Sequence, residues 1–161
     1  MQRIVLDTEK CCGCRICEDI CSLVNEGEFN PVKSRIRVVR TVDNGILYSI
    51  PVFCLQCEKA YCEAVCPAHA ISRKDNGVLQ VDDEKCVGCK LCEIACPVGA
   101  ITVNPEKHIA IKCNMCVDYS EPQCVKHCYS GALQLVPAER IGVMKARSKA
   151  GKFLEMEKKE R

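Results

Sequence analysis

The 161-residue sequence contains no tryptophan, and aromatic residues make up only 4% of it. A core built from large aromatic side chains is therefore excluded, so apolar burial depends on Val, Ile, Leu and Ala. The sequence also has no apolar run approaching the roughly 18 residues of a membrane-spanning helix. Its start, MQRIVLDTEK, has no apolar stretch of signal-peptide length. These absences predict a cytoplasmic protein without direct membrane insertion.

The motifs of common catalytic and nucleic-acid-binding sites are also missing. There is no phosphate-binding loop, dinucleotide fingerprint, Ser/His/Asp set or cleft of paired carboxylates, and His69, His108 and His127 stand isolated. His69 occupies a position where two related segments carry Gly99 and Gly131, so we expect it to adopt a turn conformation rather than bind a metal. The net charge of +2 and the lack of an aromatic platform predict no nucleic-acid partner. We expect no catalytic site within the chain itself.

Cysteine is abundant, at 17 of the 161 residues, which indicates that something covalent or metallic replaces part of the core. Sixteen of these cysteines form four groups of four, and Cys12 is left over; we expect it to be a spare thiol rather than a ligand. In chain order, motif 1 is Cys11, Cys14, Cys17 and Cys21; motif 2 is Cys54, Cys57, Cys62 and Cys66; motif 3 is Cys86, Cys89, Cys92 and Cys96; and motif 4 is Cys113, Cys116, Cys124 and Cys128.

The spacing within the motifs favours iron–sulfur clusters. Motifs 1 and 3 read C-x2-C-x2-C-x3-C, whereas motifs 2 and 4 widen the gap before the third cysteine to four and to seven residues. In the bacterial [4Fe–4S] pattern, three such cysteines bind one cube and the fourth binds a neighbouring cube. Structural zinc sites instead pair one C-x2-4-C segment with a second, distant one, and disulfides are rare in a reducing compartment. We therefore predict four [4Fe–4S] clusters, with a zinc-binding structural module as the alternative.

The segments between the motifs predict short strands and turns. Residues 34–53 alternate apolar and polar residues about the sequence DNG, which predicts a β-hairpin, and Asn76-Gly77 predicts another turn. A period of two would place Lys33, Arg35 and Arg37 on one strand face, which we interpret as solvated, with docking of an acidic partner as the alternative.

The predicted fold is α+β, with two ferredoxin-like modules that each have pseudo-twofold symmetry and hold two clusters, and with a β-hairpin insertion. We predict an outer module from residues 1–30 and 104–136, the hairpin insertion at 31–53, an inner module at 54–103, and a charged C-terminal tail at 137–161.

Over roughly residues 1–135, the cysteine motifs as a set resemble the four-cluster ferredoxin-like electron-transfer subunits of molybdenum and tungsten pterin oxidoreductases. The stretch CSLVNEGEFNPVKSRIRV, residues 21–38, is similar in particular to the small subunits that partner the tungsten aldehyde oxidoreductase family, one relative of which reduces benzoyl-CoA. The resemblance implies a large tungsten or molybdenum pterin subunit as partner, a ferredoxin or flavin subunit as electron partner, and anaerobic metabolism.

Proline follows the last cysteine of motifs 2 and 3 but not of motifs 1 and 4, which groups the motifs in those pairs. Spacing alone leaves a pairing of motif 3 with motif 4 open, whereas the family resemblance implies the nested pairing. Each implied site takes three cysteines from the motif whose number it carries. Site 1 is Cys11, Cys14, Cys17 with Cys128; site 2 is Cys54, Cys57, Cys62 with Cys96; site 3 is Cys86, Cys89, Cys92 with Cys66; and site 4 is Cys113, Cys116, Cys124 with Cys21.

Four one-electron centres without a catalytic residue predict an electron-transfer subunit. A free-standing polyferredoxin that serves several enzymes is the alternative from the same class of protein.

Overall fold

The computed structural model describes residues 2–144, together with residues 146 and 150. It mixes short helices with small antiparallel sheets, which confirms the α+β class. The α-helices are α1 (Ile16–Glu26), α2 (Tyr61–Ala64), α3 (Leu91–Ala95) and α4 (Gln123–Lys126), and 3₁₀ turns cover Pro31–Lys33 and Ala138–Arg140. The strands are β1 (Gln2–Leu6), β2 (Ile36–Asp43), β3 (Ile46–Phe53), β4 (Ile71–Arg73), β5 (Leu79–Val81), β6 (Ile101–Val103), β7 (Ala110–Lys112) and β8 (Leu133–Pro137).

The strands pair in twos, and every pair is antiparallel. The hairpin predicted around DNG is present as β2–β3, and its turn residues Asn44 and Gly45 have φ angles of 48° and 78°. Two positive φ values in succession are typical of the type I′ turn that matches the strand twist. Strands β4–β5 and β6–β7 form two further hairpins, whereas β1 pairs with β8 and so joins distant parts of the chain.

Two separate clusters of buried side chains lie beneath these elements. Helices α1 and α4 contact each other, as do α2 and α3, so each cluster lies between helices from two cysteine motifs. The first cluster consists of Ile4, Cys21, Ile36, Phe53, Cys124 and Leu133. The second cluster consists of Ala60, Ile71, Leu79, Cys92, Ile101 and Ala110. Cysteines of motifs 1 and 4 thus lie in the first core, whereas Cys92 of motif 3 lies in the second and cysteines of motif 2 pack against it.

The predicted module boundary at 103/104 falls between β6 and β7, which form one hairpin, and Ala110 of β7 lies in the second core. The predicted tail at 137–161 lies largely outside the described residues.

The basic run does not form the single solvated face that its period predicts. Lys33 belongs to a 3₁₀ turn, because Asn30 caps it and Pro31 begins it, and β2 starts only at Ile36. Lys33 bridges two glutamates at 2.8 and 3.0 Å, and Arg35, with a side chain only 20% exposed, lies 3.9 Å from a third. The prediction is wrong because the turn breaks the alternation before the strand begins.

Candidate iron–sulfur sites

All four motifs open with the same backbone loop. The third residue of each C-x2-C segment has a left-handed conformation, with φ values of 69°, 53°, 66° and 59° at Gly13, Gln56, Gly88 and Met115. In motif 3, a Cβ atom at Gly88 would collide with the carbonyl oxygen of His108, so the close approach of this loop to the backbone requires glycine. The loop conformation is therefore common to tight and widened motifs.

The third cysteine of every motif is the second residue of a helix. These cysteines are Cys17 in α1, Cys62 in α2, Cys92 in α3 and Cys124 in α4. In motifs 1 and 3 the residue before the helix, Arg15 or Lys90, also has a φ of 65°, so the chain bends sharply between the second and third cysteines. The two tight motifs consequently share one backbone conformation, as their equal spacing predicts.

The fourth cysteine of motifs 2, 3 and 4 begins a tight turn. Its carbonyl oxygen accepts a hydrogen bond, at 3.0 to 3.2 Å, from the N–H of His69, Gly99 or Gly131. These three residues have φ angles of 49°, 63° and 67°. The prediction that His69 stands in for glycine in a turn is confirmed.

Backbone N–H groups are directed at the cysteine sulfurs throughout the sites. A thiolate accepts such bonds more strongly than a neutral thiol, and N–H···S bonds are a means by which proteins stabilise iron–sulfur clusters. The donor–acceptor pairs, at 3.3 to 3.5 Å, are Arg35 to Cys21, Gln56 to Cys54, Ala70 to Cys66, Ala110 to Cys86, Ala100 to Cys96, Met115 to Cys113, Gln123 to Cys116 and Leu133 to Cys128.

Two cavities are each lined by three cysteines of one motif and one of another. The lining cysteines of the first are Cys66, Cys86, Cys89 and Cys92, the residues of predicted site 3. Those of the second are Cys21, Cys113, Cys116 and Cys124, the residues of predicted site 4. Thiol ligands around a cavity, with N–H donors at several of their sulfurs, fit the chemistry of an iron–sulfur cube.

Within predicted site 1, and likewise within predicted site 2, the cysteines affect one another's pKa. Burial, then the negative charge of Glu18 and those of the thiolate forms of Cys14, Cys11 and Cys128, raises the pKa of Cys17 to about 12. In site 2, burial raises the pKa of Cys62, and the charges of Cys54 and Cys96 raise it further. The carbonyl of Cys57, the remaining cysteine of predicted site 2, accepts a hydrogen bond from Arg73 at 2.5 Å.

Most of the buried thiols are held in their protonated form when no iron is bound. Burial is the largest cause and raises the pKa of Cys92 to about 11 and that of Cys113 to about 12. The partly buried Cys128 is an exception: burial raises its pKa, but hydrogen bonds from the N–H groups of Leu133, Ala132 and Gly131 and one with the Ser130 hydroxyl together lower it. Since iron binds the thiolate, cluster assembly must displace these protons.

Sequence reasoning missed two buried polar residues between the cores, Gln56 and Lys112, which are 1% and 3% exposed. For Lys112 the strand pattern offers one signal of this burial. Ala110 and Lys112 alternate with Ile111 in β7, so they share the buried face of the strand.

Within residues 2–144 and the two further described positions, no group of three or more His, Cys, Asp or Glu side chains is arranged to hold a single metal ion. None of the helices in that part of the chain has the length and apolar character needed to cross a membrane.

Comparison with known proteins agrees with this chemistry. The profile of the 4Fe-4S dicluster domain matches residues 46–138. The chain is 42% identical over 161 residues to an uncharacterized ferredoxin of Methanocaldococcus jannaschii, covering 98% of this chain and 95% of that protein. It is also 37% identical over 138 residues to the thiosulfate reductase electron transfer subunit PhsB of Salmonella typhi, covering 80% of this chain and 71% of that protein.

Among solved structures, the chain is similar to a chain of the active site complex BamBC of benzoyl coenzyme A reductase with benzoyl-CoA. The TM-score is 0.51 at 27% sequence identity, and the match covers 100% of this chain and 98% of the other. The likeness therefore extends over the whole of this chain and nearly all of the other.

Proposed function

The chain belongs to the 4Fe-4S dicluster domain family, and from this premise we propose that it is an electron-transfer subunit with four [4Fe–4S] clusters. It relays single electrons between a tungsten or molybdenum pterin catalytic subunit, of aldehyde oxidoreductase or benzoyl-CoA reductase type, and a ferredoxin or flavin-bound partner. A bound cube supplies reversible one-electron transfer. The chain's own residues hold, space and shield the cubes, and we propose that they do so in the cytoplasm.

The observation that carries this proposal is the mixed origin of the cysteines around each cavity. Three cysteines of motif 3 share a cavity with Cys66 of motif 2, and three of motif 4 share one with Cys21 of motif 1. This exchange of the fourth cysteine is the arrangement of two-cluster ferredoxins. It supports the nested pairing of the motifs over a pairing of motif 3 with motif 4, and thus the full ligand sets of sites 1 to 4.

The proposed order of the sites along the relay rests on pairs of cysteines from different sites in which one residue affects the pKa of the other. The thiolate form of Cys62 raises the pKa of Cys92, which supports a position of site 2 beside site 3. The thiolate forms of Cys54 and Cys17 likewise raise the pKa of Cys113 and of Cys124, which supports positions of site 4 beside site 2 and beside site 1. We therefore propose the order 3, 2, 4, 1. Exposed cysteines at the two end sites, Cys89 and Cys14, support electron entry and exit there.

The β2–β3 hairpin is the proposed docking face for the catalytic subunit at site 1. Arg40 of the hairpin donates a hydrogen bond at 3.1 Å to the carbonyl of Gly13, which lies in the C-x2-C segment of motif 1, so the hairpin lies against this site. Towards its tip it exposes apolar side chains, and an exposed apolar patch is typical of an interaction surface. These residues are Val39, Val42, Ile46, Leu47 and Tyr48.

Several relatives and neighbours carry names of reductase components, among them the thiosulfate reductase subunit and the BamBC complex. These names favour a dedicated subunit over a free polyferredoxin, and the 4Fe-4S family match disfavours the zinc module.

The test is anaerobic purification of the native protein with metal analysis. We expect about sixteen iron and sixteen sulfide per chain, from four cubes of four irons each, and co-purification with a larger subunit that contains tungsten or molybdenum. About twelve iron would refute the four-cluster assignment. A chain that purifies alone and reduces several unrelated enzymes would support the polyferredoxin instead.

A further inference from the structure

The two cores meet at a closed ring of buried hydrogen bonds. Gln56 lies in the C-x2-C segment of motif 2. Its side chain donates a hydrogen bond to the carbonyl of Cys113 at 2.7 Å and accepts one from the N–H of Leu79 at 2.9 Å. Lys112 completes the ring, because its Nζ donates to the carbonyl oxygens of Leu79, at 2.6 Å, and Cys113, at 3.1 Å. The ring thus ties the loop of site 2 to the first cysteine of site 4.

Lys112 is an unusual residue to find in this position. It is only 3% exposed, and both of its hydrogen-bond partners are neutral carbonyl groups. Among the described residues, no carboxylate lies within ion-pair distance of its Nζ. A buried ammonium requires a compensating negative charge nearby.

The cysteines of the two sites that meet here can supply this negative charge once they bind iron as thiolates. Lys112 is bonded to the backbone of Cys113, and its positive charge lowers the pKa of both Cys113 and Cys62, although burial has the larger, opposite effect on each. Cys113 belongs to site 4 and Cys62 to site 2. The ammonium therefore lies between two sites that become anionic when their thiolates bind iron.

We propose that Lys112 is a fixed counter-charge for sites 2 and 4 that raises their reduction potentials above the values they would otherwise have. An added electron is stabilised by a nearby positive charge, and the low dielectric constant of the interior makes that stabilisation larger than at the surface. The charge thereby favours the presence of an electron at the two central sites of the proposed relay. This inference rests on the proposed four-cluster function.

The test compares Lys112→Met with Lys107→Met in the cluster-loaded chain, using redox titrations followed by EPR. Lys107→Met is the matched control, because it removes the same charge from a side chain that is 57% exposed and pairs with a carboxylate, Glu26, at 2.7 Å. Cys14→Ser and Cys89→Ser identify the signals of the end sites 1 and 3. A third variant, Lys112→Arg, keeps the charge.

In Lys112→Met we expect the oxidised-to-reduced ratio of sites 2 and 4, at a fixed potential, to rise at least about tenfold, which corresponds to potentials about 59 mV lower for a one-electron couple. In the same variant the potentials of sites 1 and 3 should change much less. Lys107→Met should leave all four potentials unchanged, and Lys112→Arg should retain the original potentials. Unchanged potentials with full iron content, or equal shifts at all four sites, would overturn the proposal.

If Lys112→Met loses iron, Lys112→Arg decides the matter. Retention of iron by the arginine variant supports a role for the charge, whereas loss in both variants shows that only the shape of the lysine is needed. A wild-type chain with fewer than four clusters would contradict the proposed function itself, independently of Lys112.

Discussion

Replacing Gly88 with alanine tests whether the loop of motif 3 requires glycine for two separate reasons. Gly88 has a φ of 66°, a conformation that costs an L residue about 1–2 kcal/mol. Its added Cβ would also meet the carbonyl oxygen of His108, and backbone atoms cannot rotate away as a side chain does. Overpacking of this kind costs about 1–3 kcal/mol. We therefore expect a total loss of about 2–5 kcal/mol in the free energy of unfolding.

The matched control is Gly99→Ala, because Gly99 has a similar φ of 63° but open space where the Cβ would be. We expect it to lose only the conformational cost of about 1–2 kcal/mol. Gly13→Ala should fall between the two, since its Cβ would meet the movable side chain of Ser49.

The assay is an anaerobic denaturant titration of the cluster-loaded chain, followed by the visible absorbance of the clusters, with iron content measured beforehand. Gly88→Ala should also lower the iron content, because the displaced loop carries two cysteines of site 3. Equal stability and equal iron content in Gly88→Ala and Gly99→Ala would refute the argument from the carbonyl of His108.

Cys12 is exposed and lies outside the four ligand sets, so Cys12→Ala should keep the full iron content and EPR spectrum, whereas Cys14→Ala should lose or convert one cluster. Loss of iron from Cys12→Ala would contradict the alignment of motif 1. Burial raises the pKa of Cys92 to about 11, from an ordinary 9.0, so its thiol stays protonated at neutral pH and also at pH values well above it. Iron uptake by the iron-free chain should therefore release protons and become more complete as the pH rises, which a weakly buffered titration with pH detection measures. Glu18→Ala should reduce the free energy of unfolding by about 1–3 kcal/mol in a denaturant titration, because it leaves the N–H of Val38, bonded at 2.7 Å, without its acceptor. An unchanged midpoint would show that water replaces the carboxylate.

Local features of this protein could be predicted because a few neighbouring residues determine them. The cysteine spacing and the bends around Gly13 and Gly88 lie within single motifs. The hairpin follows from the turn at Asn44-Gly45 and the alternation on either side of it. The turn at His69 was inferred by comparing repeats, which again needs only local sequence.

Relations between distant segments were decided only by the tertiary structure. Proline flanks suggested which motifs are partners, but the neighbourhood of motifs 1 and 4 depends on β1 pairing with β8 and on α1 packing against α4. The burial of Lys112 likewise depends on β7 lying between two cores, since a lysine beside a cysteine motif is ordinarily solvated. The spacing of cysteines along the chain determines which thiols can bind one cluster. The environment of each cluster depends on which surfaces pack together, and no single segment of the sequence contains that information.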